Sequence, residues 1–196
     1  MKKVTSLRPA GSGHVTVELD GVPWRHLPVE AAVRVGLAPG VALDRARARA
    51  LGRELRRLRS LGTAIGALRV RDRSAAELTS RLDARGVAPA DRARTLETLA
   101  RAGLVDDEHF ACTRARSLAA RGNGNALIRH DLEQRGVPAA EIETAIEALE
   151  PESERAARVA ERRGFSTRTT RYLVAHGFAE DVIEGAVAWD DAEGVG

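Results

Sequence analysis

The sequence predicts a mainly α protein, three tandem three-helix repeats forming an elongated curved array, preceded by a small N-terminal β-rich module. Three observations predict this. Aromatic residues make up only 3% of a chain that is 43% hydrophobic, so the core is built from Leu, Ala, Val and Ile, a composition that suits helices better than a β-sandwich. Apolar residues recur at three-, four- and seven-residue spacings from Asp44 onward. Beyond residue 73 the chain repeats itself.

At the N-terminus, "HVTVEL" alternates, Asp20-Gly21 supplies a tight-turn dipeptide, and "VPWRHL" follows, so residues 13–27 read as paired strands. Val4 to Leu7 add a third short strand. "PVEAAVRVG" reads as a short helix opened by Pro28 and closed by Gly36. A two- or three-stranded piece is marginal alone, so it is expected to pack on the helix that follows. In that helical stretch, 44–70, Leu51, Leu55, Leu58, Ile65 and Leu68 form one expected buried stripe. Gly52, Gly62 and Gly66 weaken the helix, and a break near Ser60 to Gly62 is expected.

The repeat carries the most structural information. "SAAELTSRLDARGVAPADRARTLETL", from Ser74, aligns with "GNALIRHDLEQRGVPAAEIETAIEAL", from Gly124, at an offset of 50. Leu78 pairs with Ile128, Leu82 with Leu132, Gly86-Val87 with Gly136-Val137, and Leu99 with Leu149. A weaker third copy places Leu173, Gly177, Phe178 and Ile183 against Leu132, Gly136, Val137 and Ile142. Each unit is an amphipathic helix ended by a Gly that takes the left-handed conformation, an apolar residue that pins the turn, and a second amphipathic helix. Another helical stretch precedes each pair, at 44–70, 107–121 and 152–163. The expected divisions are a β-hairpin module (1–40), repeats at 41–103, 104–150 and 151–189, and an acidic tail at 190–196.

The densest knot of ionisable groups is "LVDDEHF", residues 104–110. A helix start accounts for it: Asp106 caps the helix with its carboxylate, and Asp107 and Glu108 sit in the first turn, where the helix dipole favours acids. A metal centre lacks the usual H-x-x-x-H or H-E-x-x-H spacing, the five histidines being scattered one per segment. Paired-carboxylate hydrolysis needs acids that converge in a cleft. Cys112, the single cysteine, excludes a disulfide framework and reads as a small core residue. "RGNGNAL", residues 121–127, resembles a phosphate loop weakly; its plainer reading is Gly122 ending one helix and Asn123 or Asn125 capping the next. The expected protein is therefore not an enzyme and needs no cofactor or metal. No apolar run reaches the length of a membrane span, and the start "MKKVTSLRPAGSGHV" has no apolar core of a secretory signal, so a cytoplasmic location is expected.

Charge is uneven. Residues 1–73 hold 15 Arg/Lys against 6 Asp/Glu, while residues 74–149 hold 10 against 12 and residues 150–196 hold 6 against 10. One end can face an anion such as nucleic acid; the other would not be drawn to one.

The blocks "RDRSAAELTSRLDARGV" and "GLVDDEHFACTRARSLAARGNGNALIRHDLEQRGV", with the weak third repeat, resemble the RecX family of bacterial regulatory proteins over roughly residues 60–190. The N-terminal "VTVELDGVPWRHLPVEAAVRVGLAPGVALD" resembles the β-rich extension of some members. The resemblance implies a non-enzymatic modulator that binds the RecA–DNA filament and inhibits RecA recombinase, ATPase and coprotease activity. It thereby implies a part in homologous recombination, DNA repair and the SOS response. Some members also contact DNA. Asp106, Asp107, Phe110, Gly122, Gly124, Ile128, Leu132 and Gly136 match the family motif and read as structural. Departures are Cys112 or Thr113 where an aromatic is common, and Arg in place of Lys.

Charge and position single out Arg56, Arg57, Arg81, Arg85, Arg114, Arg116, Arg121 and Arg129 as candidate contacts to the filament or to single- or double-stranded DNA. The expected state is a monomer. The alternative function is a direct DNA-binding protein of helix-turn-helix-like repeats. Against it, a second helix such as "PAAEIETAIEAL" is acidic and would be repelled by the groove it must enter.

Overall fold

The structure, a computed structural model, describes residues 1–188; the acidic tail expected at 190–196 lies outside the described residues. The protein is mainly α, with a three-stranded antiparallel sheet at its N-terminus followed by ten helices among the described residues. It divides into two compact units. The first is Met1–Arg69 with Arg81–Glu97; the second is Val70–Ser80 with the chain from Thr98 onward.

In the first unit, β1 (Val4–Pro9), β2 (His14–Leu19) and β3 (Val22–Pro28) pair in sequence order. Asp20 (φ 52°) and Gly21 (φ 79°) turn the chain between β2 and β3. Positive φ at both central residues is what matches a two-residue hairpin to the strand twist. Val4, Val17, Leu19 and Leu27 face inward against Ala31 and Ala32 of α1 (Val29–Arg34), and Leu37 and Leu51 complete this core. The sheet thus covers its one apolar face with α1 and with α2 (Arg45–Leu68), as its small size requires.

Asp44 caps α2, its carboxylate accepting the Arg47 N–H at 2.7 Å. The expected break near Ser60 to Gly62 is absent: α2 runs unbroken for 24 residues. Gly62 and Gly66 are exposed, with open space where a Cβ would lie, and tertiary contacts on the other face outweigh their weak propensity. The buried stripe also differs. It begins at Leu51, but Ile65 is 38% exposed, and Ser60, Ala64 and Ala67 are the buried residues instead. The Ser60 hydroxyl hydrogen-bonds the Thr95 hydroxyl (2.7 Å) of α4 (Pro89–Arg101), a polar pair that fixes the register of two helices.

The second unit holds α5 (Asp107–Ala120), α6 (Asn125–Gln134) and α7 (Ala139–Glu147), then α8 (Glu152–Arg163), α9 (Thr167–Ala175) and α10 (Glu180–Ala188). Phe110, Ala115, Leu118, Ile128, Leu132 and Ile142 form one core; Ala156, Val159, Leu173, Phe178 and Ile183 form another. The division between units passes within both α3 (Ala75–Asp83) and α4. The three second helices end alike. After α6, Gly136 (φ 66°) donates to the Glu133 carbonyl at 2.8 Å and Val137 to the Leu132 carbonyl at 3.1 Å, the two bonds of a Schellman turn. Gly86-Val87 and Gly177-Phe178 repeat them after α3 and α9.

Candidate interaction surface

The acidic knot at 104–110 is built as a helix start with a second duty. Asp106 is the N-cap of α5, in extended conformation (φ −149°, ψ 104°), and accepts the His109 N–H at 2.9 Å. Asp107 does not only sit in the first turn: its carboxylate accepts the backbone N–H of Ala75, the first residue of α3, at 2.8 Å. Burial pushes the Asp107 carboxyl above its ordinary value against the pull of that N–H, and the charges of Glu141 and Asp106 add to the rise. Among the described residues, no group of three or more His, Cys, Asp or Glu is placed to hold a metal ion.

The turn at 121–127 is likewise a joint. Gly122 (φ 83°) closes α5, and Gly124 is the N-cap of α6 with no side-chain cap of its own. The expected cap by Asn123 or Asn125 is replaced by groups from the third helix set. Gly124 donates to the His176 carbonyl (2.8 Å) and Ala126 to the Gly177 carbonyl (3.1 Å), while Glu152 accepts the Asn125 N–H (2.5 Å). A Cβ on Gly124 would fall 2.3 Å from the Gly177 oxygen, so only glycine admits this approach. Gly136 is held in the same way: a Cβ there would fall 2.5 Å from Ala76 Cβ.

A chain of ion pairs crosses this unit. Asp131 receives Arg114 through two bonds (2.9 and 2.8 Å) and Arg135 at 2.8 Å; Arg135 reaches on to Glu77 (2.9 Å), which Arg71 also grips twice (2.8 and 2.9 Å). The Arg114 hydrogen bond, joined by that of Arg135, outweighs burial and holds the Asp131 carboxyl well below the carboxylate range. Burial pushes Glu77 upward, but the hydrogen bond from Arg71 and the charges of Arg71, Arg135 and Arg73 hold it below its ordinary value.

The eight arginines singled out by charge and position separate into two kinds. Arg57 is paired with Glu54 (2.6 Å) and Glu30, Arg114 with Asp131, and Arg129 with Glu143 (2.7 Å). These three guanidinia are already engaged by carboxylates of the same chain, and the hydrogen bonds raise the pKa of Arg57 and Arg129. Arg56 lies 3.4 Å from Asp91 but stays exposed. Arg81, Arg85, Arg116 and Arg121 are exposed and pair with no carboxylate among the described residues.

Two arginine surfaces emerge, one in each unit. In the second unit, a cleft of about 350 Å³ has an apolar floor of Ala119, Ala120, Leu149 and Val159 and a rim of Arg116, Arg158 and Arg162. A neighbouring cleft shares Gly122, Val159 and Arg162 and adds Arg121, Arg163 and Tyr172. Arg163 lies 3.9 Å over the Tyr172 ring. Only Glu150, paired with Arg158, opposes this charge at the cleft. Arg155 beneath it is buried and donates to the carbonyls of Asn123 (2.8 Å) and Glu150 (3.1 Å). Residue-by-residue reading missed Arg158, Arg162 and Arg163, although the four- and five-residue spacings from Arg158 place the other two near it on a helix. In the first unit, Arg45, Arg49, Arg53 and Arg56 line a shallow groove on α2 with Ala48 and Gly52 between them. Of these, only Arg56 was among the eight.

The fold defines a helical-repeat protein with a small N-terminal sheet, whose charged surfaces are arginines carried on helix faces. The family description "RecX, second three-helix domain" matches residues 106–146. The regulatory protein RecX of Chromohalobacter salexigens is 37% identical over 139 residues, 65% of this chain and 91% of that protein. The regulatory protein RecX of Halorhodospira halophila is 32% identical over 63% of this chain and 83% of its own length. The chain belongs to the RecX family of regulatory proteins. In fold it is similar to a crystal structure of regulatory protein RecX (TM-score 0.79, 20% identity, 94% of this chain and 98% of the other). It is also similar in fold to RecX from Lactobacillus salivarius (TM-score 0.62, 17% identity, 70% and 97%). No helix among the described residues is long and apolar enough to cross a membrane.

Proposed function

We propose that this protein binds the RecA–DNA filament and inhibits RecA recombinase, ATPase and coprotease activity, modulating recombinational repair and the SOS response. The observation that carries the reading is the cleft of the second unit, with its arginine rim over an apolar floor. Protein interfaces concentrate their energy in such places, where arginines surround a pocket that accepts an apolar anchor. The cleft fits an acidic, partly apolar segment of a protein partner. The family motif residues support it from below: Gly122 lines the cleft, and Gly124 lets the neighbouring helices approach.

The test is ATP hydrolysis by the cognate RecA on single-stranded DNA, with this protein titrated well below one per RecA. Strong inhibition at low ratio supports the filament as target. Inhibition only when the protein saturates the DNA overturns it in favour of competition for the strand. The helix-turn-helix reading is not favoured: α7 carries Glu141, Glu143 and Glu147, and α10 carries Glu180, Asp181 and Glu184, charges that phosphates would repel.

A further inference from the structure

We infer that the arginine-rimmed cleft of the second unit is a docking site for the chain's own acidic segment, residues 189–193, which masks the cleft until a partner displaces it. The inference rests on the cleft being the partner's site, as proposed above. The segment reads Trp-Asp-Asp-Ala-Glu and lies outside the described residues. Its composition is what the cleft asks for. Trp189 supplies a large apolar side chain for the floor of Leu149 and Val159, and Asp190, Asp191 and Glu193 supply carboxylates for the rim. On that rim Arg158 already holds Glu150, but Arg116, Arg121 and Arg162 are exposed and pair with no carboxylate among the described residues. The other acidic run that carries an aromatic, Asp106 to Phe110, is consumed by the start of α5, where Phe110 is buried.

Position brings the two together. Leu149 and Glu150, just past the end of α7, meet Ala119 and Ala120 of α5 in the cleft, so the third helix of that set ends beside the end of the first. The repeat gives α10 the same course along α8, which brings its end to Arg162 and Arg163. Val187, near that end, packs against the core that holds Val159, a residue of the cleft floor. Five extended residues from there span roughly 17 Å, more than the width of a helix. So short a tether gives the segment an effective concentration in the millimolar range, and a contact too weak to hold a free peptide is populated within the chain.

The experiment is acrylamide quenching of the full chain carrying Trp24→Phe, which leaves Trp189 as its one tryptophan. With the segment docked most of the time, quenching should be at least about threefold weaker than for a synthetic peptide of residues 188–196. Salt raised toward 1 M, where charges are screened beyond about 3 Å, should restore the peptide's value. So should Asp190→Asn/Asp191→Asn/Glu193→Gln on the segment, or Arg162→Glu/Arg163→Glu on the cleft. Peptide-like quenching in the starting chain overturns the inference. So does weak quenching that ignores salt and both variants, which would bury Trp189 away from the cleft. Shielding that grows with protein concentration seats the segment in a second copy and overturns the intrachain contact. In the RecA ATPase assay the neutralised segment should lower the concentration needed for inhibition by at least about threefold, and unchanged potency overturns the masking. Inhibition absent from parent and variant alike sinks the filament reading and leaves Trp189 quenching to decide the docking.

Discussion

Asp107, the first residue of α5, accepts the backbone N–H of Ala75 at the first turn of α3 from 2.8 Å, across 32 residues of chain. Glu152, the first residue of α8, does the same for Asn125 at the start of α6, at 2.5 Å. In both joints an acid that opens one helix set caps the second helix of the set before it. Each joint is closed further along by the glycine turn of the following set: the Ser74 hydroxyl donates to the Arg135 carbonyl at 2.5 Å, and Gly124 donates to the His176 carbonyl at 2.8 Å. The repeats are therefore tied by hydrogen bonds to orphan helix-end groups as well as by apolar contact.

Removing the acceptor should loosen the joint. Asp107→Ala should cost about 1 kcal/mol, within the range for lost caps, and Asp107→Asn should cost less because the amide oxygen still accepts. The folded carboxyl is raised by burial, so its favourable contribution is complete below the unfolded pKa, about 4, and is lost as pH rises through the folded value. The Asn variant should accordingly gain on the parent between acid and neutral pH. Urea midpoints at several pH values check this; a gap that widens toward neutral pH would contradict it.

Two glycines should respond in opposite ways. Gly124→Ala drives a Cβ into the Gly177 backbone and should cost about 3 kcal/mol or more, because neither backbone can yield cheaply. Gly62→Ala, in an exposed helical position with open space around it, should stabilise by about 0.5 to 1 kcal/mol. Thermal melts of the pair measure both effects in one chain.

Asp131→Asn should be the most costly of the ionic changes, at about 2 kcal/mol, because two arginines lose a charged partner in a partly buried place. Its folded carboxyl is depressed, so the stabilisation is present above the unfolded pKa of about 4 and disappears as pH falls below it. The difference between parent and variant should shrink in acid, as chemical denaturation at descending pH will read.

What was legible in the sequence was what is local. The Asp20-Gly21 hairpin, the Asp106 cap and the glycine ends of α3, α6 and α9 each depend on a few neighbouring residues, and each was readable from them. Long-range partners were not. Nothing near Asp107 points to Ala75, and Asn125 looks like a cap until Gly177 and Glu152 arrive beside it. The weak glycines of α2 suggested a break that packing on its far face prevents. Among the arginines, composition exposes the charge but not the partner: Arg57, Arg114 and Arg129 are indistinguishable from Arg116 and Arg121 until Glu54, Asp131 and Glu143 are seen against them.

That separation predicts which arginines matter to the proposed filament contact. Arg116 and Arg121 are exposed beside the second-unit clefts and unpaired among the described residues, so reversing them leaves no described carboxylate stranded. Arg116→Glu/Arg121→Glu should keep the melting temperature and raise the concentration needed to inhibit RecA ATPase by at least about tenfold, in line with loss of interface arginines. Arg129→Gln, whose guanidinium is already engaged by Glu143, should shift that concentration by less than about twofold, its effect confined to a surface ion pair. If the two variants shift inhibition equally, accessibility is not what selects the contact residues. If only Arg129→Gln does so, the partner meets the face of α6 that carries Arg129 and not the cleft.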